Sequence, residues 1–492
     1  MAKRLSQATL DQLGPDVGVP AYDRSRVTAG VLHVGLGNFH RAHQAVYLDE
    51  LFASGRDTDW GILGAGVMPG DADMRSDLAD QDWLYSVTQE DAQSESVRVV
   101  GSLTGFLPVE PGHGPIRAAL DDPAIRILSL TVTEGGYYLD PSKGGFNAEH
   151  PDIQADISNP EQPRTVFGAI VAALRARRDA GMTPFTVMSC DNIPHNGAVT
   201  RSAVMGVALG QEPALADWIG EHVAFPNSMV DRITPATSQA RRERLSERHG
   251  LVDARPVFCE PFRQWVLEDN FPNGRPALEA VGVQFVPDVA PYEALKLRVL
   301  NGGHAIIAYA AALLDIEYVH DAMADERVAG FLDKVQNDEV LAAVPSVPGI
   351  SPATYLATCA ERFANPCLGD TVRRLCFDGS GRQPKFIVPS IEDDLAAGRR
   401  IDGLALESAL WCRYCAGTTD SGAAIEPNDP AWERLNERAL AARTEPGQWL
   451  GMKDVYGDVG GDSRFAAAFG DWLERVWRDG ADTALRRYLD MA

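Results

Sequence analysis

The chain has 492 residues, 45% hydrophobic and 23% charged, the composition of an ordinary globular protein long enough for two large domains. A formal charge of −24 excludes nucleic acid as a partner, because phosphates call for a basic surface; it leaves small substrates open. The seven cysteines are odd in number and widely spread, which reads as reduced cytosolic thiols rather than a disulfide framework.

The opening stretch MAKRLSQATLDQLGP lacks the apolar core of a signal peptide. The longest apolar run, AIIAYAAALL at 305–314, is about half the length needed to span a bilayer and reads as a buried helix. No membrane contact and a cytoplasmic location are expected. VLHVGLG at 31–37 reads as a buried strand entering a glycine turn. NFHRAHQAVYLDELFASG then has helical periodicity and stops at glycine. Gly35 permits a tight turn, Gly37 lets the backbone approach a pyrophosphate, and the following helix offers amides to that anion. His40 stands where the usual dinucleotide fingerprint has a third glycine, so the pattern alone also fits a plain strand–turn–helix.

WGILGAGV at 60–67 is the second strand. A ribose-binding acid belongs near its end, about 20 residues after the glycines, and Asp71 is the first acid offered. Arg75 presents the opposite charge nearby. NAD is therefore expected, with NADP as an alternative. IRILSLTVTE at 125–134 and FTVMSCDN at 185–192 are further apolar runs, and RTVFGAIVAALRARRDAG at 164–181 is an amphipathic helix. Asn192 ends its strand, where it suits either a hydrogen-bond donor to substrate oxygen or a residue fixing the turn IPHNG. RPVFCEPFRQWVLED at 255–269 and VGVQFVPD at 281–288 read as late strands.

The alternation implies a doubly wound, mostly parallel sheet with helices on both faces and ligands beyond the carboxyl ends of the strands. After about residue 290 the patterns are mainly helical. The expected α/β architecture is a Rossmann-type domain over 1–287 and a mainly α-helical substrate and catalytic domain over 288–492.

PYEALKLRVLNGGHAIIA at 291–308 sets Lys296, Asn301 and His304 in an otherwise apolar run. As one helix, Lys296, Leu300 and His304 fall on an i, i+4, i+8 face, with Asn301 one i+3 step from His304. Buried polar groups are costly without partners, so a site explains them better than packing does. Lys296 is the base candidate. A free lysine titrates near 10.4, so poising it near 7–8 takes a drop of roughly three units, about 4 kcal/mol. Further on, Cys412 and Cys415 form a CxxC without a second ligand pair, which reads as packing, and no metal site is expected.

The Lys-x4-Asn-x2-His spacing joins five blocks in order: VGLGNFHRAHQ at 34–44, LTVTEGGY at 130–137, FTVMSCDNIPHNG at 185–197, SMVDRITP at 228–235 and PKFIVPS at 384–390. Together they resemble the polyol-specific long-chain dehydrogenases over nearly the whole chain. The resemblance implies a zinc-independent, NAD-dependent oxidation of D-mannitol to D-fructose, with D-arabinitol oxidised at C4 or D-mannonate as alternatives within the family. It places the cofactor on Gly35, Gly37, Asn38, Phe39, Asp71, Thr133 and Glu134. It makes Lys296 the base, Asn192 and Asn301 the donors to the reacting oxygen, and His304 the residue orienting a hydroxyl. Glu293 passes the proton outward or forms an i, i+3 salt bridge with Lys296. Asp231, Arg374, Arg382 and Lys385 contact the polyol, Arg382 standing where relatives carry a lysine. Two other classes stay open: a lyase forming a Schiff base on Lys296 and a silent nucleotide-binding sensor. A monomer is expected over an oligomer.

Overall fold

Four apolar runs of the N-terminal half, joined by the short Leu103–Phe106 that the sequence did not mark, become five parallel strands: Ala29–Val34 (β1), Gly61–Ala65 (β2), Leu103–Phe106 (β3), Ile127–Leu130 (β4) and Thr186–Ser189 (β5). Their order across the sheet is β3-β2-β1-β4-β5, every pair parallel. Strands covered on both faces have no polar side to show, which is why they read as continuous hydrophobic sequence. The order reverses between β1 and β4, and in a doubly wound sheet it is at the strands' carboxyl ends beside such a reversal that ligands bind. The computed structural model describes residues 2–140 and 145–491. Two units partition the chain, Met1–Val289 and Ala290–Ala492.

The helix expected after β1 is broken. Asn38–Ala42 (α1) and Gln44–Ala53 (α2) are separated at His43, whose φ of −116° and ψ of −88° leave the helical region. The cause is tertiary: His43 is buried and its Nε2 donates to the Gln264 carbonyl at 2.8 Å, a contact invisible to local periodicity. Asp71–Ala79 (α3) follows β2, and Val166–Asp179 (α4) precedes β5, its first turn capped by the Thr165 hydroxyl on the Gly168 amide. Asn196–Gln211 (α5) follows β5. The late strands lie outside the central sheet. Ser228–Asp231 (β6) pairs antiparallel with Gln264–Glu268 (β7), and β7 pairs in parallel with Gln284–Val286 (β8). Val257–Cys259 instead extends the hairpin Tyr85–Glu90/Glu95–Val100.

The second unit is helical among its described residues, apart from isolated bridges at Tyr318–Thr371 and Thr418–Ala424. It opens with Ala290–Leu295 (α6), a π-helical turn over Lys296–Asn301 and Gly302–Leu313 (α7). Gly379–Phe386 (α8) and Asp402–Cys415 (α9) follow further along the chain. The apolar run 305–314 is core: Ile306, Ile307, Tyr309 and Leu313 are buried. Every α9 residue from Gly403 to Cys415 is buried too, and Cys412 and Cys415 are free thiols packed within it.

Candidate active site

The crevice of the first unit is built around Gly35 and Gly37. Gly35 has φ +95°, and a Cβ there would stand 2.1 Å from the Thr131 carbonyl oxygen beyond β4, so the turn from β1 into α1 admits glycine alone. An added Cβ at Gly37 would meet only the Gly35 oxygen, at 3.8 Å, so its exposed backbone faces open space at the head of α1. A turn closed underneath and open above is the cradle a dinucleotide pyrophosphate requires. Asn38 and Phe39 begin α1; Asn38 Oδ1 accepts from Arg41 Nη2 at 2.7 Å, and Phe39 stacks on His43 with centroids 4.9 Å apart. His40, in the third-glycine place, stacks on His33 of β1 at 3.3 Å, and burial drops its pKa to about 3. A neutral ring pair therefore does the helix-to-sheet packing usually left to glycine.

The remaining cofactor candidates follow the neighbouring strand ends. Asp71 opens α3 after β2, and its Oδ2 accepts from the Val67 and Met68 amides, both at 2.9 Å. Arg75 is anchored by its Nε on the Phe106 carbonyl at 2.7 Å. Thr133 and Glu134 lie in the loop after β4, Thr133 at φ +67°. That strained residue is held by Asp191 at the end of β5. The Asp191 carboxylate accepts from the Val132 and Thr133 amides at 3.0 and 2.8 Å and from Tyr137 Oη at 2.6 Å. Burial raises its pKa, and these three donors work against that rise. Asp191 thus binds the loop after β4 to the end of β5, and the next residue, Asn192, is exposed at the strand's carboxyl end. The turn-fixing asparagine is Asn196, which is buried and exchanges hydrogen bonds with Ser228. Asp231 closes β6 and is 4% exposed.

In the second unit, Glu293 lies in α6 and Lys296 starts the π turn; both are buried, at 7% and 6% exposure. The expectation of one regular helix from Lys296 to His304 is corrected here. The Gly302 amide reaches back to the Leu297 carbonyl, five residues earlier, as well as to Val299. In an uninterrupted α-helix each residue turns about 100°, leaving Asn301 about 140° and His304 about 80° from Lys296. The wider turn absorbs one residue, so Asn301 counts as a fourth neighbour and His304 as a seventh, about 40° and 20° away. The π turn puts all three side chains on one face.

A long-range clasp supports that turn. Gln336 is fully buried, and its Nε2 donates to the Val299 carbonyl at 3.2 Å. Gln336 itself opens a second π turn, Gln336–Val340, in which buried Glu339 accepts from the Gly403 and Leu404 amides at 2.7 and 2.9 Å and so caps α9. Burial pushes the Glu339 carboxyl up to about 7.

His304 is half-buried and lies against Phe363, with ring centroids 4.4 Å apart. Desolvation holds its pKa well below the usual imidazole range, and the guanidinium charges of Arg374, Arg362 and Arg382 add to the effect. It is a neutral imidazole at physiological pH, able to donate one hydrogen bond and accept another. Arg374 is ion-paired with Asp370, Arg382 Nη1 donates to the Leu375 carbonyl at 2.8 Å, and Lys385 is exposed one turn along α8. Among the described residues no group of three or more His, Cys, Asp or Glu is arranged to hold a metal ion, and no helix is long and apolar enough to cross a membrane. Sequence reading missed Asp191, whose signal is its place beside Asn192 at a strand end. It also missed Gln336, which acts on a residue 37 positions away and gives no local sign.

Residues 29–280 match the family model of the mannitol dehydrogenase Rossmann domain, and residues 288–477 match that of the mannitol dehydrogenase C-terminal domain. A mannitol 2-dehydrogenase of Cereibacter sphaeroides is 60% identical over 470 residues, covering 96% of this chain and 98% of that protein. Among solved structures, the Pseudomonas fluorescens mannitol 2-dehydrogenase ternary complex with NAD and D-mannitol superposes with a TM-score of 0.88. Its identity is 42%, and coverage is 100% of both chains. A D-sorbitol dehydrogenase in substrate-free form gives a TM-score of 0.90 at 35% identity, over 98% of this chain and 100% of that one.

Proposed function

The chain belongs to the mannitol dehydrogenase family, and on that footing we propose that it interconverts D-mannitol and D-fructose with NAD. The observation that carries this reading is the 60% identity, over almost the full length of both chains, to a protein of that activity. Bound NAD supplies a nicotinamide that accepts hydride from the carbinol carbon. Gly35, Gly37, Asn38, Phe39, Thr133 and Glu134 hold it along the crevice, with Asp71 on the ribose side.

The chemistry assigned to this chain's side chains follows from their types. The neutral Lys296 amine takes the hydroxyl proton at Nζ as the hydride departs. Asn192 and Asn301 donate amide hydrogens to the oxygen as it gains negative charge, without changing protonation themselves. His304, neutral because it is desolvated among arginines, orients a further hydroxyl. Glu293, one turn before Lys296, carries the proton outward. With one residue taken up by the π turn, Lys296 and His304 lie ~10 Å apart along the helix axis, so an extended six-carbon polyol lying parallel to that axis reaches both. Asp231, Arg374, Arg382 and Lys385 bind its remaining hydroxyls. The seven free thiols suit a reducing compartment, and the enzyme is assigned to the cytoplasm, acting as a monomer.

The test is NADH absorbance with purified protein, NAD or NADP, and D-mannitol, D-arabinitol, D-sorbitol or D-mannonate. D-Mannitol with NAD is expected to give the highest kcat/KM. Turnover of D-mannonate alone, or silence with every polyol, would overturn the reading.

A further inference from the structure

The helix bearing Arg382 and Lys385 is fixed from below by a buried carboxyl that plays no part in the chemistry above. At the start of α8, a Cβ added to Gly379 would stand 2.6 Å from both Trp411 Nε1 and Tyr309 Oη, so that end is tightly packed. Ser380 adds two bonds to Asp429, from its amide at 2.8 Å and its hydroxyl at 2.7 Å. Pro384 then removes an amide donor from the middle of the helix. There, between Arg382 and Lys385, Gln383 turns inward. It is 1% exposed, and its Nε2 donates to Glu407 Oε1 at 2.5 Å.

Glu407 lies on α9, in the buried stretch Gly403–Cys415. Two more buried oxygens, Gln383 Oε1 and Glu407 Oε2, have no hydrogen-bond partner. Both are acceptors if Glu407 is a carboxylate, which leaves a buried charge half satisfied. One proton on Glu407 makes Oε2 a donor and supplies what Gln383 Oε1 lacks.

We propose that Glu407 is a positioning residue, held as a neutral acid in a reciprocal pair with Gln383 that sets the register of α8 and thereby the polyol contacts of Arg382 and Lys385. The substrate half of this statement rests on the function proposed above; the protonation half does not. Burial pushes the Glu407 carboxyl up to about 8, against the opposing influence of the Gln383 hydrogen bond and the nearby Ser408 hydroxyl. The titratable groups that face it are the phenols of Tyr309 and Tyr456, each held neutral by its own burial. In the unfolded chain the carboxyl titrates near 4.3. Between the two values the native state holds a proton that the unfolded state lacks, so stability falls as pH rises through that window and levels off above it.

Glu407→Gln makes the same two bonds with no proton to lose, and it is the deciding variant. The infrared spectrum of the wild-type protein at pH 7 is expected to contain a protonated-carboxyl stretch that is absent from the variant. Wild-type melting temperature falls between about pH 5 and pH 8 more steeply than that of the variant. The variant keeps its D-mannitol KM within about twofold at pH 7 and loses the part of the wild-type KM rise that appears above about pH 8. Glu407→Ala raises KM about tenfold or more while kcat changes less. Identical infrared spectra, or identical KM–pH profiles, in wild type and Glu407→Gln would overturn the proposal. If no polyol is oxidised, the spectra and melting curves still decide the protonation, and the substrate reading fails separately.

Discussion

In the first unit, the residues assigned to the cofactor come from three separate strand ends, and much of the holding is done by backbone. Gly35 lets two strands' loops meet, Gly37 leaves exposed backbone with no side chain over it, and Asp191 ties three donors of one loop to the end of the next strand. In the second unit, the residues assigned to chemistry come from one helix, and their alignment depends on a single extra residue in one turn. Strand ends converge because the sheet brings them there, so each loop can change by itself. A helix presents side chains at a fixed period, and putting Lys296, Asn301 and His304 on one face requires breaking that period.

The contrast is broken most severely by inserting one alanine between Leu297 and Arg298. The π turn already absorbs the one surplus residue, so the added one turns Lys296 about 100° relative to His304. Turnover is expected to fall about 10²–10⁴-fold, the worth of a positioned base, while NAD binding by fluorescence titration is unchanged. Retained turnover would mean that the π turn does not align the site. The complementary change, Gly35→Ala, forces a Cβ into the Thr131 carbonyl at positive φ. It is expected to weaken NAD binding at least tenfold, or about 1.4 kcal/mol, with the second unit's helices unaltered by circular dichroism.

Smaller effects sharpen the comparison. Asp191→Ala leaves the Val132 and Thr133 amides and Tyr137 hydroxyl without their acceptor. A loss of about 1–3 kcal/mol in denaturant unfolding is expected, with KM for NAD rising more than KM for the polyol. Gln336→Ala frees the Val299 carbonyl, removing about 1 kcal/mol of support from the π turn. A few-fold drop in kcat with unchanged KM for NAD is the expected kinetic signature.

Four of the five strands of the central sheet were legible because strands buried on both faces are written in apolar, β-branched residues; the fifth, Leu103–Phe106, is a four-residue LTGF too short and too mixed to stand out. The hairpin Tyr85–Glu90/Glu95–Val100 was not: Ser86, Thr88 and Glu90 are buried yet polar, and Ser86 is satisfied by distant Asp253. Polar residues buried by long-range partners erase the alternation that marks a strand. The polar set Lys296, Asn301 and His304 stood out in an apolar run, so those positions could be read locally. Their common face could not, because the extra residue in the turn is supported by Gln336. The break at His43 and the Gln383–Glu407 pair share that character: each is made by a partner far along the chain.

The most direct test of the account is the rate of NADH formation from D-mannitol by Lys296→Ala beside wild type, with NAD affinity measured on the same samples. The account predicts normal NAD affinity and a rate lower by about 10²–10⁴-fold, partly restored by added small primary amines. Near-normal turnover without Lys296 would contradict it, because no base would then stand where the π turn presents one.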